Sequence, residues 1–156
     1  MTIRLAESAD MEDWRVVAGN VAEIFGNPIM ADDPEFIDYA QRKIQQGEAI
    51  AVGDDESGRC VGFIGFSRHF NRITWFGVLE AHRNRGLGSA LLRRALDELD
   101  ASKAITVETY RDDYPPGQSA RHVYEKHGFE LVDNALYDHL GNERCKLSRP
   151  KTNGGK

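Results

Sequence analysis

Apolar residues recur along this chain with two different periods. Thr2–Leu5 reads as a short strand, and Ala49–Val52 and Cys60–Phe66 are apolar runs bounded by turn residues, which predicts two more. Trp14, Val17, Val21, Ile24 and Phe25 return every three or four positions, which predicts a helix capped by Ser8 or Asp10 and ending near Gly26. Phe36, Ile37, Ala40 and Ile44 predict a second helix, with Asp33 as N-cap, Pro34 at the first helical position and Gly47 beyond its end. The turn Asp54-Asp55-Glu56-Ser57-Gly58 makes an antiparallel hairpin of the strands on either side, and His69-Phe70-Asn71-Arg72 turns the chain into a strand over Ile73–Leu79. Ser89 to Leu99 then carries Leu91, Leu92, Ala95, Leu96 and Leu99 on one helical face. A strand over Ala104–Tyr110 follows, parallel to Ile73–Leu79 because a helix crosses over between them. Asp112–Gly117 reads as a loop, Gln118–His127 as a short helix, and Glu130–Val132 with Arg144–Leu147 as a closing hairpin around a polar excursion over Asn134–Asn142. The expected architecture is α/β, with about four helices around a mixed, mostly antiparallel sheet.

The chain has 156 residues, which suits one domain with a proper core; no linker or internal repeat divides it. The expected domain is residues 1–149, with Pro150–Lys156 as a loose tail by composition. No apolar run reaches membrane-spanning length, and the N-terminus lacks a basic region followed by an apolar stretch. Cys60 and Cys145 are the only cysteines and form no CxxC, so a reduced, cytoplasmic protein is the simplest expectation. The net charge of −5 argues against a nucleic-acid partner, which needs a basic face. It also agrees with steering of cationic substrates, although many cytoplasmic proteins are mildly acidic without such a role. His122 and His127 lie five apart and no HExxH occurs, so no metal site is expected; Gly117-Gln118-Ser119-Ala120-Arg121 lacks the closing glycine of a nucleophile elbow.

The most informative segment is Arg83-Asn84-Arg85-Gly86-Leu87-Gly88, between the strand at Ile73–Leu79 and the helix that follows. A glycine-bearing basic turn at a helix start gathers free backbone N–H groups, the positive end of the helix dipole and two guanidinium groups around one point, which suits a phosphate or pyrophosphate. It is no P-loop, because no Lys follows Gly88. The dinucleotide fingerprint fits at Gly86 and Gly88 but meets Leu91 at its third position; Glu108 lies near where its acidic residue would be, which weakens that reading without removing it. As Arg83-x-x-Gly86-x-Gly88, the segment resembles the coenzyme-A pyrophosphate loop of the GNAT superfamily of N-acetyltransferases. About thirty residues on, Ala120-Arg121-His122-Val123-Tyr124-Glu125-Lys126-His127-Gly128-Phe129 resembles the second signature of that family, in the same order and at a similar spacing. The likeness covers about Val61 to Val132, and more loosely Ile3–Ala6.

The resemblance implies a GNAT-like single domain whose sheet is splayed in the middle, and acetyl-CoA as the acetyl-donor cosubstrate. It implies transfer to a small-molecule or peptide amine by direct attack in a ternary complex, and it leaves room for a homodimer. It assigns the pyrophosphate to backbone N–H groups of Arg83, Asn84, Arg85, Gly86, Leu87, Gly88 and Ser89. It assigns pantetheine contacts, and an oxyanion hole, to the backbone near Gly77, Val78 and Leu79; Gly77 otherwise marks a core position without room for a side chain. Tyr124 falls at the general acid, where a phenol stays protonated at neutral pH, unless it is only a packed core tyrosine. The strand before the loop carries no carboxylate, so Glu108 is the first candidate for general base and Glu80 the second; a water relay or an amine that arrives neutral needs neither. Many members carry Asn seven residues before the tyrosine, where this chain has Gly117. Trp14, Phe25, Phe36 and Tyr39 are candidates to line the acceptor pocket, although ordinary core packing is the commoner role for each. Two alternatives are a coenzyme-A-binding sensor or interaction module without transferase activity, and a transferase of another acyl-CoA.

Overall fold

In a computed structural model, which describes residues 1–152, a seven-stranded sheet carries helices on both faces. The strands are β1 (Thr2–Leu5), β2 (Ala49–Gly53), β3 (Cys60–Ser67), β4 (Arg72–Val78), β5 (Ile105–Thr109), β6 (Glu130–Tyr137) and β7 (Glu143–Arg149). The helices are α1 (Met11–Phe25), α2 (Pro34–Gln46), α3 (Leu87–Asp97) and α4 (Gln118–Lys126). The sheet order is β1-β2-β3-β4-β5-β7-β6, antiparallel throughout except for the parallel pair β4 and β5, which α3 connects. This is the mixed sheet with four helices that the sequence predicts.

Side-chain alternation explains why β2 and β3 read as continuous apolar runs. Ala49, Ala51 and Phe63 point to one face and join Trp14, Val17 and Phe36 of α1 and α2. Ile50, Val52 and Ile64 point to the other and join Leu91, Leu92 and Ala95 of α3, with Tyr124 of α4. The entry to α1 is tied down by Asp10, whose carboxylate accepts both Arg4 guanidinium nitrogens at 2.7 and 3.0 Å and the Glu7 N–H at 2.7 Å. At α2, Asp33 Oδ1 accepts the Glu35 N–H at 3.0 Å with Pro34 in the first turn, as the sequence signal requires.

Among the boundaries that shift from expectation by one or more residues, two are informative. Helix α3 starts at Leu87, two residues earlier than the apolar stripe suggests, because Gly86 caps it from a left-handed conformation. Strand β6 runs to Tyr137 rather than Val132, so much of the anticipated polar excursion is strand. It is the outermost strand, largely exposed and interrupted by two irregularities in its pairing with β7, so it has no hydrophobic alternation for a sequence pattern to reveal. Of the expected tail, 153–156 lie outside the described residues, while the Thr152 N–H donates to Ala101 O at 2.9 Å.

The feature that positions the site is the joint between β4 and β5. These strands register at only two positions, Arg72 with Thr106 and Ile73 with Val107, and then part. Beyond the joint, Thr74–Phe76 of β4 and Val107–Thr109 of β5 line a cavity between them.

Candidate active site

Two cavities meet at this splay. One, of about 570 Å³, runs from Arg83, Asn84, Gly86, Leu87, Gly88 and Ser89 along Phe76, Gly77 and Val78 to Ser119, His122, Val123 and Lys126 on α4. The other, of about 360 Å³, is enclosed by Asp33, Glu35, Phe36 and Tyr39 from α2 and its cap, by Glu108 and Tyr124, and by the β6–β7 turn at Asp138, His139 and Leu140. Phe25, Phe76, Tyr110 and Ala120 line both, so the two spaces share a wall.

The first cavity ends on a set of backbone donors. Asn84 and Gly86 take positive φ values of 64° and 78°, which curls the chain into the start of α3. The Ala90 N–H closes the first helical bond onto Gly86 O at 3.0 Å, which leaves the Leu87, Gly88 and Ser89 N–H groups ahead of it without helical acceptors. No side chain caps them and the first turn holds no acidic residue, so an anion here meets donors and the positive helix end alone. The two glycines do different work. A Cβ at Gly86 would meet nothing, so that position needs glycine for its φ; a Cβ at Gly88 would lie 3.1 Å from Phe76 Cζ, so that position is about packing. Arg83 lines this cavity and its Nε donates to Val78 O at 3.1 Å, whereas the exposed Arg85 does not line it.

Strand β4 presents one of the three residues expected to offer backbone contacts. The Leu79 N–H donates to Val61 O at 2.9 Å, and Val78 is registered with Gly62. Alternation along an antiparallel ladder therefore turns the polar groups of Gly77 and Leu79 toward β3 and those of Phe76 and Val78 toward the splay. Leu79 does not line the cavity. A Cβ on Gly77 would lie 2.8 Å from Trp75 Cη2, so packing against Trp75 is sufficient reason for that glycine.

In the second cavity, Tyr124 is buried, packed against Phe76 and Phe129 with ring centroids 5.5 Å away in each case. Burial holds its phenol proton well above the usual tyrosine range. Core packing and cavity lining are thus both true of it. Glu108 projects from β5 into the same cavity as an exposed side chain, whereas Glu80 lies in a 3-10 turn outside both cavities. Of the candidates, Phe25, Phe36 and Tyr39 line the second cavity. Trp14 does not: it lies fully buried beneath, stacked on Phe63 at 4.9 Å.

Several lining residues have no motif to announce them. Tyr110 follows β5, lines both cavities, and is held by burial above the ordinary tyrosine range; the Arg144 guanidinium lies 5.0 Å from its ring centroid. Arg144 also donates to Phe25 O at 2.6 Å and lies 3.2 Å from Asp138, which fastens β7 and its turn to the end of α1. His122 and Lys126 were legible only as part of a helical signature, yet both face the first cavity from α4. Among the described residues no cluster of His, Cys, Asp or Glu could hold a metal ion, and no helix is long and apolar enough to cross a membrane.

Known proteins share this fold. The chain superposes on YncA from Salmonella typhimurium, solved with its cofactor acetyl-CoA, with a TM-score of 0.72 at 16% identity, over 99% of this chain and 96% of that one. For Ard1 from Thermoplasma volcanium the values are 0.73 and 22%, over 97% and 98%. For the ribosomal-protein-S18-alanine N-acetyltransferase of Escherichia coli they are 0.70 and 19%, over 99% and 96%. At these identities the likeness is one of fold. The family model of the acetyltransferase (GNAT) domain matches residues 46–131, more than half of the chain and inclusive of both signature segments, and on that match the chain belongs to the GNAT family of acetyltransferases.

Proposed function

We propose that this protein is an N-acetyltransferase that moves an acetyl group from acetyl-CoA to a primary amine by direct attack in a ternary complex. The observation that carries the reading is the shared wall. A cavity ending on free helix-start N–H groups adjoins a second one at Phe25, Phe76, Tyr110 and Ala120, where two strands have parted. A long phosphorylated donor suits the first space and an acceptor the second, with the reacting atoms at the wall between them.

In this reading the Leu87, Gly88 and Ser89 N–H groups hold the pyrophosphate, with Arg83 beside them, Lys126 adding positive charge from α4 and His122 lining the same space. The backbone of Phe76 and Val78 offers the strand-like contacts along the splay, and a Val78 N–H turned into the gap is placed to polarise the thioester carbonyl. The amine nitrogen attacks that carbonyl carbon and the C–S bond breaks. Tyr124 gives its phenol proton to the departing thiolate, and Glu108, directly or through water, takes the proton the nitrogen loses. Burial that keeps Tyr124 protonated also disfavours a bare thiolate nearby, so the proton passes as the bond breaks rather than after it. Two acetyl-CoA-bound relatives of the same fold, YncA and a phosphinothricin acetyltransferase from Sinorhizobium meliloti, support the choice of donor.

Acetyl-CoA and a panel of primary amines, with free thiol as the readout, test the reading. Thiol release that depends on the amine is expected. Tight acetyl-CoA binding without amine-dependent thiol release would instead make the protein a coenzyme-binding module.

A further inference from the structure

The second cavity says more about the acceptor than that it is an amine. Its wall between α2 and the sheet is apolar, formed by Phe36 and Trp75, and its volume of about 360 Å³ is near the small end for ligand sites. Four carboxylates line it, from Asp33, Glu35, Glu108 and Asp138, against Arg144 and His139. Arg144 is already spent: it lies 3.2 Å from Asp138 and donates to Phe25 O. His139 lies 3.4 Å from Glu35 and offsets it only when protonated. Asp33 is bonded to the Asn27 amide and the Glu35 N–H, neither of them a cation. Lys146 is registered opposite Glu108 on β7 but makes no ion pair with it among the described residues and does not line the cavity. Negative charge is therefore left over on two walls, Asp33 and Glu35 at the start of α2 and Glu108 on β5, with apolar surface between.

We propose that the acceptor is a small diamine, or an amine bearing a second cationic centre, joined by a short apolar stem. This rests on the transferase reading for its choice of the cavity; the cavity places the acceptor, and the charges select it. The reacting nitrogen lies toward Glu108 and Tyr124, and the second cation lies toward Asp33 and Glu35. A free carboxylate on the acceptor meets like charge on both walls and is rejected.

The test uses three ligands of one stem length, 1,5-diaminopentane, 1-aminopentane and 5-aminopentanoate, titrated calorimetrically into the protein saturated with coenzyme A, so that no turnover occurs. The diamine should bind roughly five- to tenfold more tightly than the monoamine, as two part-exposed ion pairs allow, and the amino acid most weakly. The preference should shrink at about 0.5 M salt. Asp33→Asn combined with Glu35→Gln should narrow the diamine preference by about threefold or more; Asn retains a capping side chain for α2, and a melting curve checks the fold. Equal affinities, a preference for the amino acid, or no heat from any of the three at millimolar concentration overturns the proposal. Thiol release from acetyl-CoA is read separately. Selective diamine binding without thiol release leaves the cavity's selectivity for a dication standing but removes the transferase reading and with it the acceptor role, whereas thiol release with equal binding keeps the transferase reading and overturns the selectivity.

Discussion

The ring of Tyr110 fills the space that any side chain at position 117 would need: a Cβ on Gly117 would lie 2.3 Å from Tyr110 Cγ and 2.4 Å from its Cβ. The family resemblance puts an Asn at position 117; in this chain an aromatic ring arriving from β5 takes that space. Gly117→Asn should destabilise the protein by about 1–3 kcal/mol through overpacking. Adding Tyr110→Gly, which removes both the Cβ and the ring that a side chain at 117 would meet, should make the double variant less destabilised than the sum of the two singles. Denaturant titration of the four proteins measures the coupling, and additive effects would show that the ring moves aside freely.

The helix-start loop is tested by charge at a fixed backbone cost. Gly86→Ala and Gly86→Glu both place a Cβ at a φ of 78°, so both should lower the melting temperature by a similar small amount. Acetyl-CoA at about a hundredfold excess over Kd should stabilise the native protein by about 2.7 kcal/mol. The alanine variant should keep most of that shift and the glutamate variant should lose it. An undiminished shift in the glutamate variant would move the pyrophosphate elsewhere.

Tyr124→Phe keeps the ring that packs on Phe76 and Phe129 and removes only the proton donor. Turnover should fall by about 10²–10⁴-fold with acetyl-CoA affinity nearly constant. Since burial raises this phenol's pKa, the wild-type enzyme should show no alkaline decline from loss of its proton up to about pH 10. Tyr110→Phe is the control, because Tyr110 is similarly buried and lines both cavities. A large loss at Tyr110 with none at Tyr124 would exchange their roles.

Glu108→Gln should lower kcat/KM most at low pH, where the amine is protonated and needs a base, with the difference closing as pH rises. A constant ratio of mutant to wild type across the pH range would assign Glu108 to acceptor binding alone.

Acid stability has its own marker at the start of α1. The hydrogen bond from Arg4, ahead of the opposing cost of burial, holds the Asp10 carboxyl below the usual carboxylate range. A depressed folded pKa stabilises fully above the unfolded value near 4 and is lost as pH falls through the lower folded value. Asp10→Asn should therefore cost about 1–2 kcal/mol at neutral pH and progressively less on acidification through that window. Melting temperatures of both proteins from neutral pH downward show whether the two curves converge.

Much of this was legible in the sequence where one residue type answers one local demand. Asp33-Pro34 starts a helix whatever surrounds it, and Arg83-x-x-Gly86-x-Gly88 marks a turn whose backbone needs glycine. Other features arise only when distant segments meet. Which of Gly77, Val78 and Leu79 turns its polar groups into the splay is decided by register with Val61 and Gly62 across a hairpin. Arg144 reaches the second cavity because β7 inserts between β5 and β6, and nothing in its local sequence foretells that place. Trp14 looked like a lining residue because an amphipathic stripe shows that a side chain is inward, not whether it lies at the surface of a cavity or beneath it.

The two-rung joint between β4 and β5 has a mechanical consequence. Strands β1–β4 and β5–β7 each register with their neighbours at four or more positions, while the seam between the two sets has only two. The sheet is in effect two plates on a narrow hinge, with α3 as the strap from one plate to the other. A rod-shaped molecule hydrogen-bonded along the open side of β4 would act as a splint across that hinge. Occupancy would then be felt far from the chemistry, as slower amide exchange in both plates and as resistance to any force that peels β5–β7 away.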